Sequence, residues 1–208
     1  MNKENILVCF MSCKKNNNLW DKLLNYDLNS IIFYGEPDLD KQFIFEDNIL
    51  KLKCGDTYDH LPSKVYLMIK SILEIPKFKN IEYIFKIDDH DTKIDYNFYN
   101  KINKIKLSDY CGQYCHFAKE GIRKWHFNKC PTDSIWYNKT YKGKYEFWVD
   151  GGCGYFLSRK AMKYIINENL TINDIYQNHI YEDLMIGIIL KKNNILPKQI
   201  KEIIKGDK

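Results

Sequence analysis

Arginine is almost missing from this chain: Arg123 and Arg159 are the only two in 208 residues. The net charge of +5 is therefore lysine charge, dispersed along the sequence. Such a mild excess favours anionic ligands such as nucleotides, and it lacks the dense basic footprint that nucleic-acid binding requires. No apolar run approaches the roughly 18 to 20 residues that cross a bilayer. The opening "MNKENILVCFMSCKKNNN" has neither the apolar length nor the cleavage pattern of a signal peptide. The seven cysteines are odd in number and follow no disulfide framework. A reduced, soluble, cytoplasmic protein without a transmembrane segment is the resulting expectation. Sequons at Asn138 and Asn169 matter only in a secretory route. There is no internal repeat, no linker, no phosphate-binding Walker loop, no Gly-x-Ser-x-Gly and no His-Glu-x-x-His, which removes several hydrolase and nucleotidase classes.

What remains is a globular composition, 45% hydrophobic and 15% aromatic. The length suits one domain spanning 1–208, able to remove roughly 70% of its unfolded surface from water. The richness in Lys, Asn and Ile is what an AT-biased genome produces.

The first half alternates strand and helix. "NILVCFM" (5–11) and "SIIFYG" (30–35) are short apolar runs with polar stops, read as buried strands. "NNLWDKLLNYDL" (17–28) carries leucines at helical spacing, and "DNILKLKC" (47–54) alternates like a more exposed strand. "DHLPSKVYLMIKSILEI" (59–75) is a helix with Pro62 in its first turn, and "IEYIFKI" (81–87) is a strand running into the acidic "DDHD". This alternation predicts an α/β fold with a mostly parallel sheet, whose ligands sit beyond the carboxyl ends of the strands. The second half predicts a helix at 96–105 started by Asp95 and a strand at 109–117. An aromatic, lysine-rich loop region follows at 118–144. Beyond it come short strands at 145–149 and 153–158, a helix capped by Ser158, and a last helix over 181–195.

Four stretches could carry chemistry. In "KIDDHD" the strand end offers hard oxygen ligands of the kind Mn²⁺ or Mg²⁺ takes when it also binds a diphosphate. The pair is Asp89 with Asp91 or, one register earlier, Asp88 with His90, imidazole being a ligand Mn²⁺ tolerates. A solvated turn explains the same residues. "FWVDGGCGYFLS" (147–158) crowds glycines at Gly151 and Gly152, which lets backbone approach a ligand. Its Trp148, Tyr155 and Phe156 could offer flat faces for a sugar, although a tight turn with core aromatics is the simpler account of any one of them. "YEDLMIGIILKK" (181–192) opens a helix with Glu182 and Asp183. The helix dipole favours acids there, and a carboxylate facing a cleft can also act as a general base. In "GDTYDHLPSK" (55–64) Lys64 either reaches a phosphate or is solvated. Cys111, Cys115, Cys130 and His116 form only a weak zinc pattern.

Taken in order, these motifs resemble glycosyltransferase family 31, the β-1,3-galactosyltransferase and Fringe-like group, over roughly residues 45 to 195. That family carries Lys-x-Asp-Asp-Asp, then Gly-Gly-Gly-Tyr-x-x-Ser, then Glu-Asp-Val-x-x-Gly, with an upstream Asp-x-Tyr-x-Asn-Leu-Thr-x-Lys. The resemblance implies a GT-A fold, Rossmann-like with a smaller mixed sheet in the C-terminal half. Residues 1–95 would bind the nucleotide-sugar and 96–208 the acceptor. It implies inverting transfer of a hexose, in β-1,3 linkage, from a UDP-sugar donor to a glycan or glycoconjugate hydroxyl. Asp183 would be the base and Glu182 its neighbour; Asp89, Asp91 and His90 would hold Mn²⁺ (or Mg²⁺). Asp88, Lys64, Gly151, Gly152 and Trp148 would line the donor site, and Trp125 or Trp136 could stack on the acceptor. His90 stands where the family has a third Asp, and the tail lacks the late histidine that often completes the metal site. The anchor-free form suits a protist, a bacterium or a large DNA virus. A non-catalytic nucleotide- or glycan-binding module on the same fold, and a metal-dependent phosphoesterase, are the alternatives.

Overall fold

The computed structural model describes residues 3–89, 94–95, 97–116 and 123–201. His90 and Asp91, two of the expected metal ligands, lie outside the described residues.

Strands β1 (Ile6–Met11), β2 (Ser30–Gly35), β3 (Phe43–Glu46), β4 (Ile49–Leu52), β5 (Tyr83–Asp88), β6 (Tyr110–Gly112), β9 (Tyr155–Ser158) and β10 (Lys198–Gln199) form one sheet. Its order is β10-β6-β9-β5-β1-β2-β4-β3. The pairs β5–β1, β1–β2, β2–β4 and β10–β6 are parallel, while β9 runs antiparallel between β5 and β6, and β3 runs antiparallel to β4 at the far edge. A separate antiparallel pair joins β7 (Cys115–His116) to β8 (Trp148–Val149). The smaller sheet is therefore two-stranded and antiparallel, and the mixed pairing lies in the large one.

Both faces of the sheet are covered, as a strand that is apolar at every position requires. In β1, Leu7, Cys9 and Met11 enter one core with α2 (Leu61–Glu74), α4 (Arg159–Asn167), α5 (Ile172–Asn178) and α6 (Glu182–Lys192). Ile6, Val8 and Phe10 enter the other, with α1 (Trp20–Leu24) and α3 (Phe98–Asn103). A third cluster, centred on Trp136, Tyr141, Ile180 and Leu184, lies under the aromatic region. No helix among the described residues is long and apolar enough to cross a membrane.

Local chemistry explains where elements begin and end. Ser158 caps α4 by accepting from the Ala161 amide at 3.1 Å. Asp95 accepts from the Asn97 amide at 2.7 Å just ahead of α3. The region expected as one helix over 17–28 is a 3-10 helix (Lys14–Leu19) followed by the short α1. Asparagines and aspartates at both ends compete for backbone hydrogen bonds and shorten it. The single strand expected at 47–54 is half of a hairpin. Asp47 and Asn48 take φ of 49° and 62°, as a two-residue primed turn demands.

Candidate active site

The carboxyl ends of β1 and β5, with the loop that follows β4, open on a cleft of about 710 Å³. Its wall includes Ser12, Asn16, Tyr58, Lys64, Asp88 and Asp89. The period of two in β5 turns the paired acids apart, because Ile84 and Lys86 share the α6 side while Phe85 and Ile87 face the other core.

Asp89 turns toward the loop after β1. Its amide donates to Met11 O at 3.0 Å, and its Oδ2 accepts from Ser12 Oγ at 2.6 Å and Asn16 Nδ2 at 3.0 Å. Trp20 Nε1 donates to the same Ser12 hydroxyl at 2.8 Å. Beside the same Ser12, Lys64 is 2% exposed and donates to Ser12 O at 3.0 Å and to Asp56 Oδ1 at 3.0 Å. Asp56 also accepts from the amides of Lys14 and Gly35, at 2.6 and 2.9 Å. Lys64 thus borders the cleft as a brace between the loops that follow β1 and β4.

Asp88 turns the other way. Lys86, wholly buried, donates to Asp88 Oδ1 at 2.7 Å, to Glu182 Oε1 at 2.6 Å and to Gly151 O at 3.2 Å. Tyr155 hydroxyl donates to the second oxygen of Glu182 at 2.8 Å. Burial opposes the charge on Lys86, but Asp88 and Glu182 overcome it and hold the ammonium protonated. Gly151 needs its missing side chain, since a Cβ there would run into Glu182 Oε1. A Cβ on Gly152 would stand 3.5 Å from Asp150 Oδ1 and 3.6 Å from Asp88 Oδ2, so that glycine faces both acids.

Asp183 is half-buried at the start of α6. Its Oδ2 accepts from the Gly151 amide at 3.2 Å and its Oδ1 from the Leu184 amide at 2.8 Å. Burial raises its pKa, the adjacent Glu182 raises it further, and the two amides pull it partly back, leaving it at about 7. Tyr58, on the cleft wall, is pushed up by burial and then by the charges of Asp183 and Asp88. It stands between the cleft and the helix start. Trp148 is half-buried, with one face covered by the stacked imidazole of His116 at 4.7 Å. Trp136 is core, 5% exposed, whereas Trp125 is 57% exposed under the Lys129 ammonium.

Asp88, Glu182, Asp183, Gly151 and Gly152 are therefore one connected group, and Asp89 and Lys64 frame the adjoining cleft. Cys111, Cys115 and Cys130 fall in three different clusters and do not converge on one ion. The galactosyltransferase family model matches residues 40–201, most of the chain and all four motifs. The chain belongs to the galactosyltransferase family. Among curated proteins no sequence matches. Membership in the galactosyltransferase family makes the chain a glycosyltransferase acting between a donor and an acceptor sugar, and the mixed α/β architecture agrees with a GT-A-like fold. For this galactosyltransferase-family chain, Ser12 and Asn16 are site residues outside every motif, while Lys86 and Tyr155 stand inside the motifs but in roles the motifs do not show: Tyr155 is wholly buried against Glu182 and offers no face to a sugar. Only Lys86 carried a signal: a charge in the middle of an apolar strand has to be paired.

Proposed function

We propose that this chain transfers a hexose from a UDP-sugar to a hydroxyl of a glycan or glycoconjugate, with inversion, and that Asp183 is the base. One observation carries the reading. A carboxyl group poised near neutrality opens α6 and hydrogen-bonds to the glycine turn, whose backbone is tied through Lys86 to an acid on the cleft wall.

Asp183, when ionised, takes the proton of the acceptor hydroxyl. That oxygen forms the new bond to the anomeric carbon as the bond from that carbon to the diphosphate oxygen breaks, and the electron pair leaves on the diphosphate. The acceptor attacks from the side opposite the leaving group, so the anomeric configuration inverts. A base of pKa about 7 suits this role, because at neutral pH it is both partly ionised and basic enough to accept the proton. Gly151 fixes the carboxylate through its amide, and Glu182, with both oxygens engaged, fixes the turn through Lys86.

The carboxylate of Asp89 just past the end of β5 is an oxygen ligand suited to a hard divalent ion, Mn²⁺ or Mg²⁺, whereas Asp88 is turned away into the Lys86 network. Asp89, with the sequence-expected Asp91 and His90, would hold it, and the ion would offset the charge gathering on the departing diphosphate. Ser12 and Asn16 orient Asp89 for that task.

The test is a transfer assay with Mn²⁺ and a panel of UDP-sugars, run beside calorimetric UDP binding. Asp183→Asn is expected to lower kcat by about 100- to 10,000-fold, the usual worth of a positioned base, with UDP affinity retained. Wild-type turnover by a folded Asp183→Asn protein would refute the base assignment.

A further inference from the structure

We propose that Lys86 is a positioning residue that locks the acid on the donor cleft, Asp88, to the helix start that carries the base, Asp183. The inference rests on the reading of Asp183 as that base. An ammonium has three donors, and all three are spent on site groups from three separate segments: Asp88 of β5, Gly151 of the glycine turn and Glu182 of α6. Each of those segments contributes independently to the proposed chemistry. Asp88 borders the cleft, Gly151 holds Asp183 through its amide, and Glu182 adjoins Asp183 in sequence. A shift of Lys86 therefore moves the cleft acid, the turn and the base together.

Stability alone does not account for this arrangement. Buried ion pairs are often matched or surpassed in stability by apolar side chains of similar volume, and the flanking Ile84, Phe85 and Ile87 show what the strand otherwise prefers. Burying an ammonium with two carboxylates and a tyrosine hydroxyl makes sense where the geometry of the carboxylates matters. Glu182 illustrates it. It is 5% exposed and takes Lys86 on one oxygen and Tyr155 on the other, so both oxygens are held inside the network and it acts through Lys86.

Lys86 also sets the charge that Asp183 feels. Glu182 favours the protonated base and Lys86 the ionised one, while Tyr58, Tyr110, Tyr145 and Tyr155 also face Asp183. With these tyrosines neutral at pH 7, Lys86 is the cation among these neighbours.

The experiment compares Lys86→Met, Glu182→Gln and the double variant, which removes both charges at once and keeps the fold accessible if Lys86→Met alone fails to fold. Transfer kinetics, UDP–Mn²⁺ calorimetry and thermal melting are measured for each folded protein, over about pH 5 to 9. The expected result is a kcat loss of about 100-fold in the folded double variant, the size attached to small misplacement of reacting groups. UDP affinity should fall much less than kcat, and the melting temperature should stay near wild type. In Lys86→Met the acid limb of the rate profile is expected to move to higher pH, which a purely structural lysine would not cause. A folded double variant with wild-type kcat would reduce Lys86 to a countercharge and overturn the proposal. So would a parallel loss of UDP binding and turnover, which marks general collapse of the site. An inactive Asp183→Asn protein beside a fully active double variant sinks this inference alone; an active Asp183→Asn protein sinks the base reading itself.

Discussion

At the scale of single residues, Asp183 carries the sharpest expectation. Its pKa of about 7 in the fold compares with roughly 4 for a free aspartate. Between those values the native protein holds a proton that the unfolded chain has lost. The contribution of this group to stability is therefore complete below about pH 4 and declines until the pH has passed about 7. Asp183→Asn abolishes the decline. Melting curves should show the variant matching wild type near pH 4 and exceeding it near pH 8. The opposite crossing, with the variant weaker at high pH, would mean that Asp183 is stabilised as an anion. For the reaction, kcat/KM should fall below about pH 7 with the slope of one proton, because the base must be ionised. Elsewhere the asparagines have a backbone role. All six described non-glycine residues with positive φ are Asn or Asp: Asp47, Asn48, Asn128, Asn138, Asn169 and Asn194. These are the side chains that tolerate the left-handed region, so the asparagine richness attributed to codon bias also supplies turns.

At the scale of elements, α6 is the part whose placement decides the site, since it carries both Glu182 and Asp183. It can lie against β8 only because Gly187 has no side chain: a Cβ would meet the Phe147 carbonyl and come within 3.0 Å of Trp148 Cβ. Gly187→Ala should push the helix off the strand at a cost of about 1 to 3 kcal/mol, read as a melting temperature lower by several degrees, with activity falling further than stability. A variant that melts normally and transfers normally would show that α6 can slide without consequence. The patterns that were legible are those with a local cause. Buried strands β1, β2 and β5 announced themselves as bounded apolar runs, and α2 and α6 by their apolar faces, so the sheet and its ligand edge followed. The glycine turn and the Glu-Asp helix start were legible as sites because their order carried a family resemblance. Other features depend on contacts between distant segments. The expected strand at 109–117 breaks into β6 and β7 at Gly112, where a side chain would strike Val149 and Gly154 O. The hairpin β3–β4 had an Asp-Asn turn signal, and α5 had a Thr171–Asp174 capping box; both were readable signs passed over. The convergence of Lys86, Tyr155 and Glu182 joins positions up to 96 residues apart, which no local pattern encodes.

At the scale of the whole molecule, the two cores on the faces of the sheet differ from the third. The sheet cores share strands, so they stand or fall together. The cluster beneath residues 123–145 meets them mainly through α5 and α6. His126 is the pin. It is fully buried, and since the Lys139 carbonyl can only accept, Nε2 carries the proton at 2.9 Å and Nδ1 accepts from the Tyr181 hydroxyl at 2.7 Å. Burial lowers its pKa, consistent with that neutral tautomer. Tyr181 immediately precedes Glu182, so the aromatic region is fastened to the residue before the base pair. Trp136 adds a second tie, donating to Tyr176 O at 2.7 Å. Replacing the histidine by leucine keeps an apolar bulk but removes both hydrogen bonds, a loss of about 1 to 3 kcal/mol for each polar group left without its partner. That loss should be local. Hydrogen exchange in His126→Leu is expected to quicken across 123–145 and at the start of α6, while amides of β1 and β5 keep wild-type protection. If this region holds the acceptor, the acceptor KM rises while UDP affinity is unchanged. Uniform loss of protection through the sheet would show instead that the aromatic region folds as one cooperative unit with it, and that His126 supports the whole protein.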